Sequence, residues 1–306
     1  MFLDTYRETA PSLKALVDYI QLIYDCGGPT KEEYAPLNDA LNYYRVKVSK
    51  EDWKEASKQV ASIYGEDFID SIPGHAYLKP YGYAGDFEVI DKMYLKTTSA
   101  KPKLTNWDLF YHQHAAAAAV RNRKTFFKSV LAGRQKQTAG VCEVLDVASG
   151  PCRDLLEFME ENKAKDVHFD CVEADIKAIL HATEINAKHL PNITFYNQNI
   201  FRFRTEKKYD VIWSAGLFDY FDDKTFTKLV SRLINYVKPD GELIIGNFAV
   251  GNPTEGYMEL FLDWYLHHRS PAQLMDLAQN AGIADRSRIT VDQEDAGVNL
   301  FMRIQF

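Results

Sequence analysis

Cysteine is scarce in this chain of 306 residues: only Cys26, Cys142, Cys152 and Cys171 are present, and no two form a CxxC pair. The sequence therefore indicates neither a disulfide framework nor a zinc site, and its thiols are typical of a reduced, cytoplasmic protein. A run of about 18 apolar residues is also missing, so we predict no membrane span. The first eight residues lack the basic start and apolar stretch of a secretion signal.

An excess of basic residues is absent as well. The chain has 36 Lys and Arg against 43 Asp and Glu, a net charge of −7. This balance argues against a general electrostatic grip on nucleic acid or on an anionic membrane. Apolar residues make up 46 % of the chain, which is enough for a sizeable core. We therefore expect a globular protein whose partner is a small-molecule substrate rather than nucleic acid.

Strand and helix patterns alternate from about residue 140 onward, and we predict one domain over residues 136–306. Alternation of this kind is typical of an α/β fold with a doubly wound, mostly parallel sheet. The last two strands are separated by a short turn, so they must form an antiparallel hairpin. The predicted strands are Val141–Val147, Val167–Ala174, Ile193–Asn197, Tyr209–Ser214, Glu242–Phe248, Arg288–Gln293 and Leu300–Phe306.

Residues 1–135 show only helical periodicity, and we predict a helical cap there. The cap would act as a lid that completes a substrate pocket. The alternative is a stabilising or dimerising extension, which leaves a homodimer open. The predicted helices are Ser12–Tyr24, Lys31–Lys47, Glu51–Tyr64 and Trp107–Ala132.

The segment Val144–Asp154 is the most informative part of the chain. It predicts a buried strand, a turn of small residues and then a helix, which is where a doubly wound sheet binds a nucleotide-like ligand. A dinucleotide fingerprint would have glycine at three positions, which here are Ala148, Gly150 and Cys152. Taken alone, the segment also fits an ordinary turn between a strand and a helix.

Several segments together resemble the class I S-adenosylmethionine (SAM) methyltransferases. The Val144–Asp154 segment, the terminal hairpin and the Lys238–Gly241 turn are similar to that superfamily. A narrower similarity is to bacterial proteins of extracellular-factor, or 3-hydroxypalmitic acid methyl ester, biosynthesis. That narrower resemblance rests on Gly82–Glu88, Ala118–Arg123, Ala215–Tyr220 and Met258–Trp264. It implies SAM as the cofactor and a Rossmann-like transferase.

The resemblance implies a set of cofactor-binding residues at the ends of the strands. We expect Asp175 to hold the ribose diol, with Glu173 as the alternative and a helix N-cap as the competing role for Asp175. Asn199 would hold adenine, unless it only forms an Asx turn. The remaining strand-end candidates are Asp146, Ala148, Ser149, Gly150, Asp154, Ile200, Ala215 and Gly216.

Two further candidates come from the helical part. Tyr83 lies in a glycine-containing turn that could fold over SAM or be a plain surface turn. Arg121, favoured over Arg123, could pair with a carboxylate of SAM or substrate, or lie on a solvated face. For the substrate we predict contacts from Phe218, Tyr220, Trp264 and Tyr265, although aromatic residues are as often packing. The sequence names no catalytic residue, and no histidine pattern indicates a metal.

The sequence thus predicts a SAM-dependent methyltransferase acting on a small molecule, with O-methylation of the carboxyl group of a hydroxy or fatty acid as the specific hypothesis. A carboxylate is already nucleophilic, and no histidine lies beside a strand-end motif in the sequence, so no general base is expected. Two alternatives stay open: a NAD-dependent oxidoreductase and a non-catalytic SAM-binding scaffold protein.

Overall fold

The computed structural model describes Leu3, residues 12–162 and residues 166–306. The chain divides into two compact units. The helical unit comprises Met1–Ala118 and Asn252–Tyr265, and the sheet unit comprises Ala119–Gly251 and Leu266–Phe306. The predicted domain boundary near residue 135 falls inside the helix Ala115–Gln137. Among the described residues, no helix has the length and apolarity needed to cross a membrane.

Helices alone make up the described N-terminal part, in agreement with the predicted periodicity. They are α1 (Leu13–Asp25), α2 (Lys31–Lys47), α3 (Lys50–Ile63), α4 (Ile72–Leu78), α5 (Phe87–Leu95), α6 (Pro102–Gln113) and α7 (Ala115–Gln137). Polar side chains start several of them. Ser12 accepts from the Ala15 amide before α1, and Ser49 accepts from the Asp52 amide before α3. The sequence analysis missed α4 and α5, both short.

The prediction of a single helix over Trp107–Ala132 is wrong, because the helix is interrupted at His114. That residue has φ −66° and ψ 142°, an extended conformation that ends α6 and precedes α7. The imidazole Nδ1 of His114 bonds to the Phe110 carbonyl, 2.8 Å away, which satisfies one carbonyl of the last turn of α6.

The segment Asn252–Tyr265 packs within the helical unit although it follows the fifth strand of the sheet. Its helix α11 (Glu255–Leu262) contacts α2 and α3. The Asn42 amide donates to the Pro253 carbonyl over 2.6 Å, and the Ser57 hydroxyl donates to the Leu260 carbonyl over 2.9 Å. Distant parts of the sequence therefore form one helical core.

A seven-stranded sheet organises the other unit, with the order β3-β2-β1-β4-β5-β7-β6. Strands β1 to β5 pair in parallel, whereas β7 is antiparallel to both β5 and β6. The mostly parallel α/β sheet with an antiparallel end is confirmed. The strands are β1 (Cys142–Val147), β2 (Val167–Glu173), β3 (Ile193–Asn197), β4 (Tyr209–Ser214), β5 (Val237–Phe248), β6 (Ile289–Gln293) and β7 (Asn299–Gln305).

Helices cover the sheet on both faces, and two apolar clusters fill the space beneath them. One cluster contains Phe226, Leu229 and Leu233, and the other contains Phe127 and Phe158. The helices of this unit, besides most of α7, are α8 (Arg153–Asn162), α9 (Ile176–Ile185), α10 (Asp223–Leu233) and α12 (Pro271–Asn280). Burial of both faces explains why the central strands have near-continuous apolar sequences.

The predicted Lys238–Gly241 turn lies inside β5 rather than before it. Val237 pairs with Tyr209 and Glu242 pairs with Val211. The segment of β5 between these two pairs is therefore longer than the matching segment of β4. Asp240 has φ 64° within this irregularity. The extra residues form a bulge at the amino end of the strand.

Candidate functional site

The strand order reverses direction between β1 and β4, which are neighbours at the centre of the sheet. Ligands of open α/β sheets bind outside the carboxyl ends of the strands at such a switch point. The loops that follow β1 and β4 begin at Ala148 and Ala215. They therefore define the candidate site, and the end of β2 adjoins it.

The loop after β1 has the backbone of a glycine loop without its glycines. Ala148, Gly150 and Cys152 have φ values of 56°, 56° and 51°. These are the three positions at which the fingerprint would have glycine. A Cβ placed on Gly150 would meet no atom within 4 Å, so open space adjoins the loop there. The loop thus offers exposed backbone beside a space that a ligand can fill.

Glu173, rather than Asp175, presents its carboxylate to this loop. The Glu173 carboxylate accepts from the Gly150 amide and from the Asp175 amide, each over 3.0 Å, and the side chain is buried. The Asp175 carboxylate instead accepts from the Lys177 amide over 2.8 Å and caps α9. The structure therefore assigns Asp175 the N-cap role and makes Glu173 the better candidate for a ribose diol.

Two polar atoms of the β1 segment are buried and have no hydrogen-bond partner among the described residues. They are Oδ2 of Asp146 and Oγ of Ser149. Both residues are more than nine-tenths buried. A buried polar atom without a partner costs free energy. Such atoms beside an open glycine-like loop fit a polar ligand, and SAM has the ammonium and hydroxyl groups to match them.

Burial perturbs the carboxylates of the site. It raises the pKa of Asp146 well above the usual range, and the neighbouring charges of Asp154 and Glu173 raise it further, against the opposing effect of Arg123. Burial likewise raises the pKa of Asp154, which Arg123 partly offsets. The pKa of Glu173 is raised for the same reason, although backbone amides counteract it. These three carboxyls thus keep their protons to a higher pH than exposed carboxyls do.

Arg123 is the arginine of the α7 motif that reaches the loop after β4. Its guanidinium lies 3.4 Å from the Ala215 carbonyl, and a Cβ on Gly216 would come within 2.9 Å of its Nη1. A side chain at position 216 would therefore displace the end of the Arg123 side chain. Arg121 is half-buried two residues earlier, and positions two apart do not share a helix face. Arg123 is thus the arginine that contacts this loop, and the pairing of Arg121 with a carboxylate of SAM or substrate stays a prediction.

Asn199 forms the Asx turn that the sequence left open. Its Oδ1 accepts from the Phe201 amide over 2.9 Å, and the residue is exposed. Ile200 is buried in an apolar cluster of the sheet unit. Their roles in adenine binding therefore depend on the Asn199 amide group and on the backbone.

The predicted substrate residue Phe218 lies in the core instead. It is fully buried and packs against Phe221 and Phe226, with ring centroids 5.8 and 4.8 Å away. Tyr220, two residues later, is 39 % exposed. Of this pair only Tyr220 has the accessible ring that a substrate contact needs. The short 3-10 helix Phe218–Tyr220 explains the difference, because successive residues there face different sides.

Asp219 in the same 3-10 helix was quoted in the sequence motif but given no role. It is buried, and its Oδ1 accepts from the Phe248 amide over 2.5 Å. Burial raises the pKa of Asp219 to about 6, against the effects of that amide and Arg123. The His267 amide donates to the Asp219 carbonyl over 2.7 Å, and the charge of His268 acts on the Asp219 carboxylate. Histidines therefore do lie beside a strand-end motif, contrary to the sequence-based premise.

Arg269 holds this loop in place, and its only sequence signal is a lone arginine before a helix. Its Nη1 donates to the Phe218 carbonyl over 3.3 Å and to Asn247 Oδ1 over 2.8 Å. Its Nη2 donates to the Phe221 carbonyl over 2.5 Å and to Asp223 Oδ1 over 2.9 Å. One buried guanidinium thus ties the loop after β4 to the end of β5 and the start of α10.

The other predicted ligand residues belong to the helical unit. Tyr83 is 38 % exposed in the turn that precedes α5. Asp86 ends that turn, caps α5 and bonds to the His75 imidazole over 3.0 Å. Trp264 is buried, whereas the Tyr265 ring is partly exposed with the Lys54 ammonium 5.6 Å from its centroid. Tyr265 is thus the more accessible of the two aromatic residues after α11.

Asp146, Cys152 and Cys171 bring three groups of metal-binding type within 4.8 Å of one another. Two of the four cysteines, scattered in sequence, are thus neighbours in space. All three residues are buried, and burial raises the pKa of the Cys171 thiol well above its ordinary value. A protonated thiol is a poor metal ligand, so we interpret these cysteines as packing beneath the loop.

Comparison with known proteins agrees with this geometry. Residues 144–241 match the family described as "Methyltransferase domain". A search of curated proteins found no match. One similar solved structure is a Bordetella parapertussis protein described as a possible exported protein, with 18 % identity, TM-score 0.65 and 97 % of each chain covered. Another is the SAM-dependent methyltransferase SibL, with 13 % identity, TM-score 0.50 and coverage of 78 % of this chain and 68 % of that one.

The sequence match runs from Val144 in β1 to Gly241 in the bulge of β5, so it includes the loops after β1 and β4, whereas Arg123, His268 and Arg269 lie outside it. At these identities the solved structures show the fold alone. The match to a methyltransferase domain is confined to residues 144–241, and it supports a SAM-dependent methyltransferase with SAM as its cofactor. The oxidoreductase alternative is thereby set aside.

Proposed function

We propose that the protein transfers the methyl group of SAM to an oxygen atom of a small molecule. The observation that carries this proposal is the β1 loop: a glycine-like backbone beside open space, with the buried Asp146 and Ser149 atoms lacking partners and Glu173 at its rim. SAM supplies the reactive methyl group, so the chain has to bind, orient and exclude water.

The residues divide these tasks by position. Glu173 would accept from the ribose diol, and Asp146 with Ser149 would bind polar groups of the methionine part. The loop at Ala215 and Gly216 would lie beside the methyl donor. Arg123, already surrounded by carboxylates, positions that loop. Tyr220 would contact the acceptor from the same loop.

The specific acceptor we propose, from the resemblance to the hydroxypalmitate methyl ester group, is a carboxyl of a hydroxy or fatty acid. A second acceptor class, a hydroxyl, is favoured by Asp219. The pKa of Asp219, raised by burial to about 6, suits a general base near neutral pH, and the charge of His268 acts on its carboxylate. A hydroxyl needs such a base, whereas an ionised carboxylate does not.

Isothermal titration with SAM and a radiolabelled methyl-transfer assay on palmitic acid, 3-hydroxypalmitic acid and hexadecanol test the proposal. We expect SAM to bind and one substrate to be labelled. Methyl esters release methanol in alkali and methyl ethers do not, which identifies the acceptor atom. Failure of SAM to bind would refute the proposal. Binding without labelling of any acceptor would favour the scaffold alternative.

A pH–rate profile with the labelled substrate separates the two acceptor classes. A carboxylate acceptor predicts a rate that is flat above about pH 5, since the acid is ionised there. A hydroxyl acceptor predicts a rate that rises through about pH 6 and is lowered about 10²-fold by Asp219→Asn. Asp222→Asn, an exposed cap three residues away, is the control for either case.

The lid role of the helical part, the cytoplasmic location and the homodimer remain predictions. Tyr83→Ala and Arg121→Ala should lower turnover without lowering the melting temperature if these residues contribute to the site. Normal turnover in both variants would show that Tyr83 and Arg121 do not contribute to the site. Cell fractionation and sedimentation equilibrium test the other two predictions.

A further inference from the structure

The sheet unit buries more carboxylates than cations around its candidate site. Asp146, Asp154, Glu173 and Asp219 are all at least nine-tenths buried. They come from four different elements: β1, α8, β2 and the 3-10 helix after β4. Arg123, itself buried, is the cation whose charge acts on Asp146, Asp154 and Asp219 together.

The other charged groups near these carboxylates are largely committed elsewhere. Lys124 faces Asp154 but pairs with Glu157. Arg269 faces Asp219 but donates to Asp223 and to three carbonyl-type oxygens. The charge of His268 acts on Asp219, and the charge of Asp175 acts on Glu173. The thiols of Cys152 and Cys171 lie close to the Asp146 carboxylate. A deficit of positive charge therefore remains at the site.

The buried carboxylates of the site accept different numbers of hydrogen bonds. Glu173 accepts from two backbone amides and Asp219 from one, whereas Oδ2 of Asp146 has no partner among the described residues. Ser149 Oγ, in the adjoining loop, is a second buried polar atom without a partner. Both unpartnered atoms belong to the segment with open space at Gly150. The deficit of positive charge and the vacant hydrogen-bonding atoms occur together.

We propose that the buried carboxylates Asp146, Asp154, Glu173 and Asp219 make this site selective for the sulfonium cofactor over its thioether product, S-adenosylhomocysteine, and that cofactor binding releases protons held by these carboxylates. The inference rests on the proposed function and extends it. SAM and its product share the ammonium, carboxylate and nucleoside groups, and they differ by one methyl group and one positive charge. The selectivity would expel the product after transfer.

The physical reason is the coupling between a bound cation and buried acids. A carboxylate in a poorly polar environment keeps its proton until a positive charge approaches. A cation that binds nearby lowers the pKa of the acid, so a proton leaves, and affinity for the cation rises with pH. The thioether product brings no such charge. The preference for SAM should therefore increase as pH rises through about 6, where Asp219 titrates.

Calorimetry of the full-length protein measures both consequences. SAM and S-adenosylhomocysteine are titrated at pH 6 and pH 8, each in two buffers of different ionisation enthalpy, which yields the number of protons released. At pH 6 we expect SAM to release about half a proton to one proton more than the product does. The ratio of SAM to product affinity should rise about two- to fourfold from pH 6 to pH 8.

Equal proton release by the two ligands, with a constant affinity ratio, would overturn the inference while leaving the proposed function intact. Binding of neither ligand would overturn the proposed function and the inference with it. The two failures are thus distinguishable in a single set of titrations.

Substitutions assign the effect to the named carboxylates. Asp219→Asn keeps an oxygen for the Phe248 amide and removes the titrating group, so we expect the rise in affinity ratio to shrink by about twofold. Asp146→Asn tests a second member from a different strand, should either variant fold poorly. Asp222→Asn, an exposed N-cap that asparagine serves equally well, should behave as wild type. An unchanged ratio in both buried variants would refute the assignment.

Discussion

Ala148 and Cys152 show at the scale of single residues how a glycine loop can persist without its glycines. Both adopt a positive φ, which costs an L-residue roughly 1–2 kcal/mol. Cys152 is fully buried in an apolar cluster, so its side chain offsets part of that cost. Ala148 is half-buried and has only a methyl group to contribute.

Ala148→Gly should therefore stabilise the protein by about 0.5–1 kcal/mol, after the loss of unfolded-state entropy on adding glycine. Ala132→Gly, in the interior of α7 at similar burial, should instead destabilise it by about 1 kcal/mol. Urea unfolding measures both. Destabilisation by Ala148→Gly would contradict the left-handed conformation at that position.

The structure favours Glu173, the alternative that the sequence offered, for the ribose diol, and Asp175 has the N-cap role that the sequence had left open. The register of a strand end cannot be read to within two residues, and both positions face the same side. Glu173→Gln should weaken SAM binding about 10- to 100-fold, since it removes a charge-assisted acceptor. Asp175→Ala should lower the free energy of unfolding by about 1 kcal/mol through loss of the cap, with SAM affinity nearly unchanged. Titration and urea unfolding of both variants test this, and the reverse pattern would restore the original assignment.

At the scale of elements, six of the seven strands were predicted to within one residue at each end because apolar runs and turns are local signals, whereas β5 begins five residues before its predicted start. The bulge in β5 and the break at His114 were not predicted, since each depends on pairing or capping by distant or side-chain groups. The position of the loop after β4 was predicted correctly, but which of its side chains are buried and which are exposed was not. Its orientation depends on Arg269, which lies far along the chain.

Arg269 should matter more to the fold than its sequence context suggests. Lysine in its place cannot reach the Phe218 and Phe221 carbonyls, Asn247 and Asp223 together, because it lacks the planar fork. We expect Arg269→Lys to lower the free energy of unfolding by about 2–4 kcal/mol. Arg288→Lys, an exposed position, should change it by less than about 0.5 kcal/mol. Similar small effects of the two substitutions in urea unfolding would show that the contacts of Arg269 contribute little.

Across the whole molecule, the sequence predicted a helical part and a sheet part, but it did not predict which segments of the chain belong to each. The segment Asn252–Tyr265 packs with helices more than 180 residues earlier in the chain, as its bonds to Asn42 and Ser57 show. Such long-range packing has no local pattern. The buried charges of the sheet unit were likewise hidden, because a strand-end carboxylate looks the same in sequence whether it is solvated or buried.

Buried carboxylates should make the ligand-free protein lose stability as pH rises. The pKa of Asp219 is about 6 in the fold against 3.8 ordinarily, so the native state holds a proton that the unfolded chain releases between these values. Its contribution is complete below about pH 4 and is lost as pH rises through 6, by up to about 3 kcal/mol. Asp219→Asn should remove this slope, so its stability relative to wild type should increase from pH 4.5 to pH 8. Urea unfolding at intermediate pH values measures it, and parallel curves for the two proteins would contradict the assignment.

His114 should act in the opposite direction. Burial lowers its pKa from 6.5 to about 4, because the imidazole is enclosed and stacked on Tyr257 with ring centroids 3.9 Å apart. Below pH 6.5 the unfolded chain binds a proton at His114, whereas the native state does not bind it until about pH 4. The contribution of His114 to the free energy of unfolding is therefore complete above pH 6.5 and is lost as pH falls toward 4, by about 3 kcal/mol. His114→Gln can still donate to the Phe110 carbonyl, and its stability relative to wild type should rise as pH falls. His181→Gln, a half-buried histidine of α9, is the control and should follow the wild-type curve. Because the contributions of Asp219 and His114 have opposite slopes over nearly the same pH range, Asp219→Asn and His114→Gln should change the pH dependence of stability in opposite directions.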